Sequence, residues 1–203
     1  AARGLEIGPR PPTGSPTKVV RGRWVDIDKE KNYRSRFVAM EIKGGVESAF
    51  APEFFAAMPP LSSSKFLCIL AVTQHFPGVD GKFLSIADPA LIFINARAHF
   101  VPWARRDIAV ELPEELRKPG EDLVGYLEKA MYGTRDAAAC WAADVVRVFV
   151  KVLGFTQGKA NPCHFFHADK QIRASVHGED VEAFASYDKL VWLRKSLEKE
   201  WMI

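Results

Sequence analysis

Polar and apolar residues alternate through KVVRGRWVDIDKEKNYRSRFVAMEIK, Lys18–Lys43. This period of two predicts two strands around a polar turn at residues 28–32. In the stretch from Pro59 to Phe76 the period changes: Phe66, Leu67, Leu70 and Ala71 recur at helical spacing after Ser62 or Ser63, either of which can cap a helix. Residues 81–98, GKFLSIADPALIFINARA, begin as a buried strand that carries Asp88, and DIAVELP at 107–113 predicts a short strand with a proline stop. A long helix is expected over 136–155, with Trp141, Val145, Val148, Phe149 and Val152 on one face and Gly154 as its stop. Residues 164–186 read as strand, turn, strand, tip, strand. The end, 188–203, reads as an amphipathic helix with Leu190, Leu193, Leu197 and Trp201 inward. No internal repeat is visible. Irregular mixing of strands and helices predicts an α+β fold, an antiparallel sheet with helices on one face.

Composition adds bounds. The chain has 203 residues, 48% hydrophobic and 26% charged, enough to bury a core in one domain or two small lobes. Its net charge of +3 allows a polyanionic partner without requiring one. Residues 1–17, rich in Gly, Pro and Ser, are expected to form a tether with little structure. Three widely spaced cysteines without a CxxC pair argue against a disulfide framework and for a reducing, intracellular compartment, cytoplasmic or nuclear, rather than secretion. The longest apolar runs, such as KFLCILAV at 65–72, are too short to cross a bilayer, so no membrane association is expected. The chain does not begin with Met, shows no signal core and ends abruptly, so a piece of a longer protein is expected.

Three carboxylates are candidates for chemistry: Asp88, on an apolar strand, and Glu179 with Asp180 at a hairpin tip in IRASVHGEDVEAF. Neighbouring strands would let them converge, and clustered carboxylate oxygens are what hard divalent cations require. The competing reading makes Asp88 a strand-end cap and Glu179–Asp180 a solvated turn. His164 and His167 lie at HxxH spacing beside Cys163, but in a strand they would face opposite sides and lack further zinc ligands. No G-x-S-x-G elbow, Walker loop or Rossmann glycine pattern occurs.

Several stretches in order resemble the reverse transcriptase of copia-type retrotransposons: RWVDIDKEKNYRSRFVAMEIK, FFAAMPPLSSSKFLCILAV, IADPALIFINARA, DIAVELPEE, LEKAMYGTRDAAACW, LGFTQGKANPCHFF and VHGED. Together they cover roughly residues 20–203. The resemblance implies a polymerase right hand, with a fingers-like region at 18–80 and a palm-like region at 81–203, thumb and ribonuclease H lying elsewhere in a retroelement polyprotein. It implies Asp88, Glu179 and Asp180 as catalytic ligands of Mg²⁺ or Mn²⁺, Arg34 and Arg36 over an incoming deoxynucleoside triphosphate, and Leu91 and Ile92 offering main-chain N–H groups to it. Phe93 would lie under the sugar, with Gly133 and Arg135 beside the nascent base pair of an RNA or DNA template with its primer. Four positions depart from the family's pattern. Pro89 removes a backbone donor, Glu179 replaces an aspartate, Asp136 places a negative charge beside a phosphate path, and His177 replaces a tyrosine. Two functions follow as expectations: RNA-directed DNA polymerisation, or nucleic-acid binding on the same fold without chemistry. A structural protein doing neither is a third.

Overall fold

The computed structural model describes residues 5–29, 32–41, 56–73, 75–77, 83–85, 88–96 and 103–203. In chain order the elements are strands β1 (Leu5–Pro9), β2 (Lys18–Lys29) and β3 (Asn32–Met40), helix α1 (Leu61–Thr73), and strands β4 (His75–Pro77), β5 (Phe83–Ser85), β6 (Pro89–Asn95), β7 (Ile108–Glu111) and β8 (Leu123–Leu127). Helix α2 (Ala137–Val146) comes next and runs into a π-helical turn at Arg147–Val152. Strands β9 (Thr156–Gln157), β10 (His164–His167), β11 (Ile172–His177) and β12 (Asp180–Ser186) lead to helix α3 (Tyr187–Glu200). The class is α+β, and no helix among the described residues is long and apolar enough to cross a membrane.

The chain divides into two units, Ala1–Phe55 with His99–Trp141, and Ala56–Ala98 with Ala142–Ile203. Each is discontinuous, unlike the sequential 18–80 and 81–203 division expected from sequence. The first holds the sheet β1-β8-β7-β2-β3, antiparallel except for β2 beside β7. Its core joins Val20, Ala39, Ile108 and Val110 to Leu5, Phe37, Leu127 and Met131. Residues 1–17 are therefore not simply a tether: Leu5 pairs with Leu127, the Tyr126 hydroxyl donates to the Pro9 carbonyl at 2.6 Å, and Arg10 bonds Asp122 at 2.7 Å.

The second unit is built on the antiparallel sheet β6-β12-β11-β10-β9, while β4 and β5 pair separately. Helices cover both of its faces, not one. On the first face Leu67 and Leu70 of α1 pack on Phe184, and His164 meets Ser63 of α1. On the other, His167 packs against Phe155 and against Trp192 of α3, and Phe149 stacks with Phe155, Phe165 and Trp201. The alternation that puts His164 and His167 on opposite sides is the one expected of a strand. The helix predicted for 136–155 also changes pitch. Leu153 donates to the Val148 carbonyl, five residues back, at 2.9 Å. Such a turn rotates the succeeding residues out of the 3.6-residue phase. Val148 and Phe149 stay buried, but Val152, expected inward, is half exposed. Gly154 then stops the segment at φ 78°.

Candidate carboxylate site and basic ribbon

β11 and β12 form a hairpin closed by His177 opposite Asp180, so Gly178 and Glu179 make a two-residue tip. Gly178 has φ 57°, a left-handed value that a side chain resists, and it stands at the first tip position, where tight hairpin turns favour glycine. Asp180 is exposed and Glu179 half-buried. Beyond the hairpin, β12 pairs antiparallel with β6, which sets Asp180 opposite Asn95. The Asn95 amide Nδ2 donates to Asp180 Oδ1 at 2.7 Å, and the Glu179 carbonyl accepts from the Ala96 N–H at 2.8 Å.

The same register separates Asp88 from the tip. Asp88 precedes β6 instead of ending a strand, and its carbonyl accepts from the Tyr187 N–H at 3.1 Å. Seven residues run from Asp180 to Tyr187, a span of about 23 Å at strand rise. Ions shared by carboxylates need ligands within a few ångströms, so the expected convergence of Asp88 with Glu179 and Asp180 does not occur. The misplacement has a simple origin: antiparallel pairing puts the start of β12 beside the end of β6, where the residue is Asn95. Asparagine drew no notice in the sequence because it is not an anionic ligand. Among the described residues no group of three His, Cys, Asp or Glu gathers as a metal site. At the tip, Asp180 has one oxygen held by the Asn95 amide, and Glu179 adjoins it.

Other implied nucleotide contacts have local structural roles. Leu91 and Ile92 lie in the ladder with β12, opposite Phe184 and Ala183, and form no turn toward a phosphate. Pro89 is the first residue of an edge strand, a position where its missing N–H disturbs pairing least. Phe93, two residues before Asn95 and on its face of the sheet, is 64% exposed.

The YGTRDAA block, for which the sequence offered no packing reason, fastens the start of α2 to β3. Arg36 lies over the Tyr132 ring at 5.2 Å. The Ala39 N–H donates to the Tyr132 carbonyl and the Glu41 N–H to that of Gly133. Gly133 has φ 89°, and a Cβ there would sit 1.8 Å from the Ala39 carbonyl oxygen, so only glycine allows this approach. The Glu41 side chain is wholly buried. It accepts two bonds from Arg106 at 2.9 and 2.8 Å, one from Lys18 at 2.9 Å and one from the Arg135 N–H at 2.9 Å. Arg106 also reaches Asp136 Oδ1 at 2.7 Å. Hydrogen bonding from Arg106 holds the Glu41 carboxyl down at about 2, against the opposing effect of burial. Burial pushes Asp136 upward, but the Arg106 guanidinium outweighs it and keeps the carboxyl below its usual range. Asp136 is thus no stray charge beside a phosphate path. It is the buried partner of an arginine.

The β2–β3 ribbon carries the remaining signal. Cross-strand pairs set Arg21 opposite Met40, Arg23 opposite Val38, Val25 opposite Arg36 and Ile27 opposite Arg34. Paired residues share a face, and so do alternate ones. Arg21, Arg23, Arg34 and Arg36 therefore stand on one face of a ribbon that joins the sheet only through Lys18, Val19 and Val20. Arg21, Arg23 and Arg34 are exposed and form no ion pair with any described residue. Aspartates of β2, Asp26 and Asp28, alternate onto the other face. The sequence had the six basic residues of this hairpin but not their sorting by register.

No protein-family model and no curated protein matches the chain.

Proposed function

We propose that the chain is a copia-type reverse transcriptase region that holds nucleic acid through its arginine ribbon but no longer extends a primer. The β6–β12 register carries this reading, because it sets an amide rather than a carboxylate beside Asp180. Two-metal phosphoryl transfer needs anionic oxygens around both ions. Asn95 donates a hydrogen bond to one Asp180 oxygen, and its own oxygen is neutral and a poorer ligand for a hard dication. Asp88, about 23 Å away along the strands, supplies no substitute. The order of the seven motifs supports the ancestry. The one-sided ribbon supports the retained binding, since guanidinium groups make bidentate contacts with phosphate.

A labelled primer–template duplex, DNA primer on RNA or DNA template, tests both halves. Four arginine–phosphate contacts predict log K falling against log salt with a slope of about −3.6. No added deoxynucleotide is expected with Mg²⁺ or with Mn²⁺. Primer extension with either ion would overturn the loss of chemistry, and salt-independent or absent binding would overturn the retained function.

A further inference from the structure

A cavity of about 470 Å³, within the size range of small-molecule sites, opens on the α1 face of the second unit's sheet, between α1 and strands β9, β10 and β11. Strand register sorts its floor into two rows. In the first, His164 of β10 stands opposite Ser175 of β11, and in the second Phe166 stands opposite Arg173. Paired residues share a face, and two residues along a strand span about 7 Å. The first row is polar. His164 Nε2 lies 2.7 Å from the buried Ser63 hydroxyl of α1, and Ser175 is only 3% exposed. Ser175 lines the cavity, yet its hydroxyl bonds to no described residue. The second row is flat and aromatic. The Arg173 guanidinium lies over the Phe166 ring at 5.0 Å, and one of its N–H groups donates to the Gln171 carbonyl at 3.3 Å. One helical turn beyond Ser63, Phe66 and Leu67 add apolar wall, Phe66 at the rim with 54% exposure.

We propose that this cavity binds a small neutral phenol, its hydroxyl between Ser175 and the Ser63–His164 pair and its ring along Phe66 and Phe166. This inference stands independently of nucleic-acid binding. Ser175 selects the polar group. A buried hydroxyl left unpaired costs free energy that an entering partner recovers. A ligand hydroxyl can accept from Ser175 and donate to the Ser63 oxygen, which keeps a lone pair whichever way the Ser63–His164 bond runs. The spacing of the rows selects the shape. A flat ring system attached directly to that hydroxyl reaches the second row, about 7 Å along the strands, where the aromatic wall suits it. Charge selects neutrality. Burial pushes His164 below its usual value, so that ring is uncharged at pH 7. Arg173 is already engaged in the wall by Phe166 and Gln171. The polar row thus offers hydroxyls and a neutral imidazole, which hydrogen-bond without calling for a counter-charge.

Calorimetric titration at pH 7 with 2-naphthol, 2-methylnaphthalene, 2-naphthoate and 2-naphthylmethylammonium tests the proposal. Naphthol is expected to bind saturably at one site and more tightly than the other three. Ser175→Ala should weaken naphthol about threefold to tenfold, the share of one hydrogen bond, and leave methylnaphthalene unchanged. Because the Ser175 hydroxyl has no partner to lose, the ligand-free variant should melt no lower than the parent. Phe66→Ala, at the exposed rim, should weaken naphthol and methylnaphthalene alike. Equal binding of naphthol and methylnaphthalene overturns the proposal, as does tighter binding of either ion or an unchanged naphthol affinity in Ser175→Ala. A ligand-free Ser175→Ala protein that melts below the parent shows the hydroxyl already bonded, and overturns it too. No saturable naphthol binding ends it.

Discussion

Replacing Glu41 by Gln tests a wholly buried carboxylate that the structure surrounds with donors. The substitution keeps shape and removes charge, so Arg106 loses the anion it holds bidentately and keeps its bond to Asp136. A carboxyl held at about 2 against its ordinary 4.5 corresponds to about 3 kcal/mol of stability at neutral pH. This agrees with the ~3–5 kcal/mol cost of removing one partner from a buried ion pair. The sign follows from the direction. The folded-state value is depressed, so the contribution is fully present above about 4.5 and is lost as pH falls toward 2. Urea unfolding at pH 7 and at pH 3, followed by circular dichroism and tryptophan fluorescence, reads both effects. Glu41→Gln should lower stability by about 3 kcal/mol at pH 7, and the gap to the parent protein should narrow at pH 3. A variant as stable as the parent at pH 7, or a gap that does not change with pH, refutes the reasoning. Asp188 provides the contrast. Its carboxyl is also held at about 2, by Lys189 and Ser186, but it is fully exposed, and solvent screens the pair. Asp188→Asn is expected to leave the unfolding curve at pH 7 unmoved.

Three other perturbations have definite expected outcomes. Gly133→Ala forces a Cβ against the Ala39 carbonyl at a left-handed φ, and should cost about 3 kcal/mol in chemical denaturation. Asn95→Asp replaces the donor on Asp180 by a second carboxylate, so the apo variant should melt below the parent and recover on adding Mn²⁺, whereas the parent's melting point is expected not to move. Changing Arg21, Arg23 and Arg34 together to Gln should reduce the salt slope of nucleic-acid binding by about 2.7, while Lys159→Gln, in the second unit, changes it by no more than one contact's share of about 0.9.

Much of the local structure was legible in the residues. The alternation of Lys18–Lys43 gave both strands, although Asp28, Lys29 and Asn32, expected in the turn, belong to the β2–β3 ladder, and α1 and α3 emerged within a few residues of their ends. What depended on distant partners did not emerge. Leu5–Pro9 has turn-forming composition around it and becomes a strand only because β8 offers an edge. Val152 obeyed the 3.6-residue period until a π-helical turn shifted it out of phase. At the candidate site, the hairpin and its paired acids were readable from VHGED, but the strand end facing them was not. A side chain's type says whether it can bind a cation; only register says whether it stands where one could be bound. Asp88 had the type without the place, and Asn95 has the place without the type.

The interleaving of the two units sets the order in which the chain can acquire structure during synthesis. β1 pairs with a strand about 120 residues downstream, and at translation rates of about 5–20 residues per second it waits roughly 6–24 s for that partner. β2 likewise waits for β7, and β6 for β12. The β2–β3 hairpin closes from neighbouring residues and is the first piece of sheet available, so its arginine face exists before either core does. During that interval like charges on the ribbon discourage edge-to-edge association between nascent chains. The register that sorts the four arginines onto one face is thereby in place while the rest of both sheets is still waiting for its partners.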